Sequence, residues 1–216
     1  MIPSCTSTIS IGWLRARRRA CGGAHAREAA LRVLIDCGAY TGDSLPALLR
    51  AFGPFERIVC FEANADLPVA EPDAFDGAVE VWRAAVWDGN TRLRFFFGEL
   101  DEQSSVLENK RTGNLSRERS AMVPAVDFAG WIERNTQPED RLTVKMDIEG
   151  AEFDVLERLA RHDSCRRVER LLVEWHNNRL HPRWRYRLRR RLIELRYLLK
   201  GLPIRIWGRR PIAEPA

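Results

Sequence analysis

The stretch Val33 to Phe52, VLIDCGAYTGDSLPALLRAF, leaves the chain few folds to choose from. Leu31 to Ile35 is a nearly continuous apolar run, as expected of a strand buried on both faces of a parallel sheet. The run stops at Asp36-Cys37-Gly38-Ala39-Tyr40-Thr41-Gly42-Asp43-Ser44, and the apolar period then changes. Leu45, Leu48, Leu49 and Phe52 fall at helical spacing, with Asp43 or Ser44 as N-cap and Pro46 tolerated in the first turn. A strand, a glycine turn and a helix form the unit that holds a nucleotide-like ligand at the carboxyl edge of an open α/β sheet.

The glycine spacing narrows the ligand. A dinucleotide site wants G-x-G-x-x-G, with a pyrophosphate on the helix N-terminus. Here the pattern is D-x-G-x-x-x-G, bracketed by Asp36 and Asp43. Two acids repel a pyrophosphate but suit a cation, and S-adenosylmethionine (SAM) carries a sulfonium and an ammonium and no phosphate. The next strand, Arg57 to Phe61, ends in Glu62, twenty residues past Gly42 and placed to accept hydrogen bonds from ribose hydroxyls.

At 216 residues the chain suits one sizeable α/β core, a single domain over 25–216 behind a flexible lead-in over 1–24. No apolar run approaches the roughly 20 residues of a membrane span, and the N-terminus lacks a signal peptide's order of regions. Cys5, Cys21, Cys37, Cys60 and Cys165 form no C-x-x-C pair, so we read them as reduced thiols of a cytoplasmic protein. Charge is uneven: residues 161–216 hold 16 Lys and Arg against 5 Asp and Glu, while residues 1–160 hold 19 against 25. A basic tail follows a mildly acidic domain.

Taken in order, Ala24 to Ala30 predicts a short helix, and Pro68 and Pro72 keep any helix in Asn64 to Phe75 short or broken. Val79 to Trp87 reads as a third strand, Asp88-Gly89-Asn90 as a turn and Thr91 to Phe97 as a fourth strand, the pair forming an antiparallel hairpin. Glu99 to Ser120 is a polar loop suited to lie over a ligand, with Gln103-Ser104-Ser105 near its start. Ala129 to Arg134 starts a helix, Leu142 to Met146 is a strand, and Gly150 to Leu159 is a helix. Val168 to Trp175 is a further strand, followed by an Arg-rich helix over Tyr186 to Lys200 and a last strand over Pro203 to Trp207.

The most specific stretch is Leu142 to Leu156, LTVKMDIEGAEFDVL. It delivers Lys145, Asp147 and Glu149 at a strand end, where acids repel unless a ligand, a cation or hydrogen bonds offset them. With DCGAYTGD, the acid of FEAN and the strand end VEWH, it resembles the FkbM family of SAM-dependent methyltransferases, whose hallmark is K-[IM]-D-[VI]-E-G-A-E. The resemblance spans Leu31 to Asn178. It implies a class I, Rossmann-like methyltransferase fold: a mostly parallel central sheet with helices on both faces and an antiparallel end. It also implies O-methylation of a hydroxyl on a sugar, glycan or polyketide-like molecule.

Carried over by motif, Asp36, Gly38, Ala39, Tyr40, Thr41, Gly42, Glu62, Ala63 and Asn64 line the SAM site, with Asp36 near the ammonium and Glu62 on the ribose. Ala85 and Val86 either frame the adenine or are plain strand residues. Asp147 faces the methionine moiety or the acceptor.

Methylating an alcohol calls for a general base or a metal that acidifies the hydroxyl. His176 is the candidate base on intrinsic pKa, with Asp147 and Glu149 beside it. Alternatively, Asp147, Glu149, Glu174 and His176 offer a Mg²⁺ site. His25, His162 and His181 read as surface residues, and Trp175 and Trp184 as packing residues or sugar platforms.

In the tail, Leu188, Leu192, Leu195 and Leu199 repeat at helical spacing, so the helix is expected to bury this stripe and leave its arginines outside. The arginines, among them Arg187, Arg190 and Arg191, are a solvated face, grip an anionic acceptor, or touch a membrane surface. A nucleic-acid methyltransferase is the weaker alternative, since no N-P-P-Y-like motif is present. A non-catalytic SAM-binding protein is the third reading.

Overall fold

The computed structural model describes residues 29–73, 75–98, 104–107, 110 and 118–208. The lead-in, Cys5, Cys21, His25 and Gln103 lie outside the described residues, as does most of the helix expected at Ala24 to Ala30; Ala29 and Ala30 are not helical.

Six strands form one parallel sheet: β1 (Arg32–Cys37), β2 (Arg57–Phe61), β3 (Val79–Trp82), β7 (Arg141–Met146), β8 (Val168–Val173) and β9 (Ile204–Ile206). Their order is β3-β2-β1-β7-β8-β9. The cores of β1 (Val33 to Ile35) and β2 (Ile58 to Phe61) read as apolar runs because both faces are covered there. Side chains alternate between two cores. Leu34, Ile58, Cys60 and Leu172 pack under helix α1 (Leu45–Phe52). Val33, Ile35, Val59, Phe61, Leu171 and Val173 face the other side, with α2 (Phe128–Asn135), α3 (Glu152–Leu159) and α4 (Arg183–Leu199). Crossing from β1 to β7 reverses the direction of winding, which opens a crevice at the carboxyl ends of these two central strands.

The single strand expected over Val79 to Trp87 is two. Arg83 and Ala84 break it, and β4 (Ala85–Trp87) leaves for a second, three-stranded sheet in which β6 (Ser120–Asp127) lies between β4 and β5 (Thr91–Phe96). There β5 pairs antiparallel with β6, and β4 pairs parallel with the same strand. β4 and β5 therefore do not form the expected antiparallel hairpin, and the antiparallel partner of β5 is β6. Sequence reasoning missed β6, which is central despite Pro124, a residue usually confined to edges and bulges. No helix forms between Asn64 and Phe75 among the described residues.

Helix α4 is also turned from its expected orientation. Leu188, Leu192, Leu195 and Leu199 face solvent, while Ile193 and Tyr197 are buried. Its inward face is fixed by polar as well as apolar contacts. Tyr197 donates its hydroxyl to the Leu156 carbonyl (2.9 Å), and Tyr186 packs edge-on to Phe153 (5.2 Å). The Arg189 guanidinium reaches Asp154 (2.6 Å) and Glu157 (2.7 Å) on α3 and lies over Phe153. Its hydrogen bonds hold the Glu157 carboxyl below the usual range. Arg190 stacks on Trp175 and pairs with Glu194. Hydrophobic periodicity cannot register such pairs. No helix among the described residues is long and apolar enough to cross a membrane.

Candidate active site

The two glycine turns meet at the crevice. Gly38 (φ +78°) passes so close to β7 that a Cβ there would fall 1.9 Å from the Asp147 carbonyl oxygen. Gly42 (φ +85°) is similarly pressed against the Ala70 carbonyl, at 2.7 Å. Both positions need glycine for backbone conformation and for space. In the second turn Glu149 (φ 53°) and Gly150 (φ +113°) redirect the chain into α3. Glu152 secures that turn by accepting from the amides of Ile148 (3.1 Å) and Gly150 (3.0 Å).

The turns and neighbouring strand ends enclose a cavity of about 540 Å³, within the roughly 300–1,000 Å³ of small-molecule sites. Of the residues expected at the ligand, Gly38, Tyr40, Glu62, Ala63, Ala85, Val86, Asp147, Glu149 and Glu174 line it. Ala39, Thr41, Gly42 and Asn64 shape the surrounding backbone without lining it. The loop expected over the ligand contributes Ser104 and Ser105. Sequence reasoning assigned no part in ligand binding to the lining residues Ser44, Phe95, Lys145, Arg179 and Trp207. Only Lys145 carried a signal, as the first letter of the K-M-D-I-E-G-A-E run.

Asp36 is not on the lining. It is fully buried, accepts from the Ser44 hydroxyl, and pairs with Lys145 Nζ at 3.1 Å. Lys145 also donates to the Gly38 carbonyl (2.8 Å) and lies 3.7 Å from Asp147. Burial opposes its charge, but Asp36 and Asp147 outweigh burial and raise its pKa. Asp36 thus anchors a buried cation that holds both turns together. The acid nearest the first turn that does face the cavity is Asp43.

Glu62 is cradled by backbone. Its Oε2 accepts from Tyr40 N (2.9 Å) and its Oε1 from Asn64 N (2.7 Å). Burial raises its pKa, and these two amides pull the other way. Each oxygen keeps a lone pair for a donor in the cavity.

His176 is buried and off the lining. Its Nδ1 sits 2.7 Å from Glu152 Oε1, and its Nε2 faces Glu149 (3.4 Å), Asp147 (3.7 Å) and Glu174 (3.8 Å) without a hydrogen bond to any of them. Burial alone would depress its pKa. Glu152, Glu149 and Asp147 outweigh burial and raise it to about 9, so the ring is an imidazolium at neutral pH. Asp147 is moved in the opposite sense for its type. Burial lifts its carboxyl to about 6, against the pull of Lys145 and His176. Burial also opposes the charge on Glu149, but His176, Lys110 (2.7 Å) and Arg179 (2.6 Å) hold its pKa below the usual carboxylate range.

Ligand atoms of Asp147, Glu149 and His176 lie within 4.8 Å of one another, as a divalent ion would need. The donor set does not fit one. Glu149 already carries Lys110 and Arg179, which occupy the carboxylate a divalent ion would need. The chain's own cations balance these acids. His162 caps the short 3-10 helix Asp163–Arg167, and His181 is exposed. Trp175 packs on Phe153 under Arg190, away from the cavity.

A parallel six-stranded sheet with helices on both faces, opening at its carboxyl edge into a cavity of glycine turns and acids, defines a Rossmann-like methyltransferase fold. A family model described as the methyltransferase FkbM domain matches residues 36–195. The chain belongs to the FkbM methyltransferase family. No curated protein and no solved structure matches it.

Proposed function

We propose that the chain transfers a methyl group from SAM to a hydroxyl of a sugar-like or polyketide-like acceptor, with Asp147 as the general base. The observation that carries this reading is Asp147 itself: a cavity-lining carboxyl at the end of a central strand, with its pKa near 6. Such a group is ionised at neutral pH yet basic enough to share an alcohol's proton in the transition state. His176 is already protonated and cannot take this role, so its part is electrostatic.

The residues fit SAM. Glu62 offers acceptors to ribose hydroxyls, Ala63, Ala85 and Val86 form an apolar wall, and Asp43 offers a negative charge to the ammonium. When bound, SAM supplies an electrophilic methyl on a cationic sulfur. Asp147, on the cavity lining, would take the acceptor's hydroxyl proton as that hydroxyl accepts the methyl group. Lys145 and His176 flank the Asp147 carboxylate and keep it ionised beforehand.

The acceptor is neutral in this reading. Arg187, Arg190 and Arg191 do not line the cavity, and the two cations among its described lining residues, Lys145 and Arg179, already have carboxylate partners. For the same reason a phosphate backbone finds no free cation among the described residues that line the site. The buried free thiols Cys37, Cys60 and Cys165 fit a reducing cytoplasm.

Calorimetry with SAM followed by a methyl-transfer screen over neutral glycans and natural-product alcohols tests the reading. SAM binding with turnover on a hydroxyl supports it. Binding without turnover on any hydroxyl supports the non-catalytic alternative.

A further inference from the structure

We propose that the outward face of α4 docks the protein peripherally on a membrane surface bearing anionic lipid headgroups. Trp184, Leu188, Leu192, Leu195 and Leu199 follow one another at steps of three or four, so they share one side of the helix. All five are between 51% and 79% exposed. Leu198 extends the same surface. A water-exposed stripe of this length on one helix is a site for a partner.

The charges around the stripe select the partner. Arg183 and Arg187 fall along one edge of the apolar face, and Arg185, Arg196 and Lys200 along the other; Arg191 lies within it. All six are exposed. The helix has one acid, Glu194, which is half-buried at its flank and bonded to Arg190. An apolar stripe bordered by arginines and free of acids is the pattern of a helix lying in a bilayer interface, its leucines among acyl chains and its cations among headgroups. Trp184 adds an interfacial anchor near the first turn. At 17 residues with seven arginines, α4 lies on a membrane and does not span it.

A second copy of the chain is a poorer occupant. A symmetric pairing would bring the two sets of cations together, with only Glu194, already bonded to Arg190, to oppose them. Nucleic acid would use the arginines but leave the leucines in water. The docking face shares no residue with the cavity, so it is independent of the proposed chemistry.

Vesicle flotation of the full chain tests the proposal. The protein is expected to float with phosphatidylcholine vesicles containing phosphatidylglycerol, to stay behind with phosphatidylcholine alone, and to be released by salt. Leu188→Gln with Leu192→Gln should weaken binding by about tenfold or more. Arg185→Gln, Arg187→Gln and Arg191→Gln together should weaken it on the order of a hundredfold. Because all these side chains are exposed, both variants should keep the wild-type melting temperature and SAM affinity. Failure of the wild type to float with anionic vesicles overturns the proposal. So does flotation that the leucine changes leave intact, which would be charge adsorption alone. A dimer in free solution that the leucine changes dissolve would assign the face to a second copy instead.

Discussion

His176 Nδ1 lies 2.7 Å from Glu152 Oε1, and Glu152 also accepts the amides of Ile148 and Gly150. One carboxylate therefore fixes the turn that presents Asp147 and Glu149 and the ring that faces them. The strand end of β8 is tied to the strand end of β7 through a buried charge pair, and the pH behaviour of the site follows from that tie.

Stability should fall as His176 deprotonates. Its pKa is raised from 6.5 to about 9 in the fold, so the stabilisation is complete below about pH 6.5 and is lost as pH rises through about 9. The facing groups are Glu152 on α3, Asp147 and Glu149 on the turn, and Glu174 after β8. The shift corresponds to roughly 3 kcal/mol. Denaturant midpoints measured from pH 6 to pH 10 should drop in wild type and drop much less in His176→Asn. Parallel curves for the two proteins would remove the imidazolium assignment.

Asp147→Asn should lower kcat by about 10²–10⁴ while leaving SAM affinity within a few-fold. The pH profile of kcat/KM for wild type should rise through about 6 as Asp147 ionises and fall through about 9 as His176 loses its proton. An Asp147→Asn enzyme at full speed would return the base to another residue.

Glu62→Ala should weaken SAM binding by roughly 1–3 kcal/mol through lost charge-assisted hydrogen bonds. It also strands the amides of Tyr40 and Asn64. Calorimetry should show NAD binding far more weakly than SAM; equal affinity for NAD would contradict the proposed ligand.

Gly38→Ala should destabilise the fold by more than about 3 kcal/mol, because a positive φ and an impossible contact with the Asp147 carbonyl coincide. Gly89→Ala meets nothing within 4 Å and should melt near wild type. Thermal melts of the two variants make the comparison.

Exhaustive dialysis against EDTA should leave turnover unchanged, and added Mg²⁺ should not raise it. Loss of activity with EDTA and recovery with Mg²⁺ would show that a metal displaces Lys110 and Arg179 from Glu149.

Local signals in the sequence were enough for the two turns. The apolar run into Asp36, the glycines at 38 and 42, and the helical leucines after them specify a strand, a turn and a helix through contacts a few residues apart. The same holds for β7, Gly150 and α3, and for Glu62 at the end of β2. Their meeting at one sheet edge follows from parallel pairing of β1 with both β2 and β7. Three things waited on the tertiary structure. The second sheet depends on β6, whose partners are distant in the chain, Ala85 pairing with Ala125 and Phe96 with Ser120. The buried side of α4 is chosen by Arg189 and two tyrosines meeting α3 and Phe153, so the leucine periodicity points outward. The roles of Asp36, Asp147 and His176 depend on which charges stand within 4 Å of each. Periodicity and turn chemistry are encoded between near neighbours and can be read along the chain. Burial and charge pairing arise between distant residues, and only the folded structure sets them.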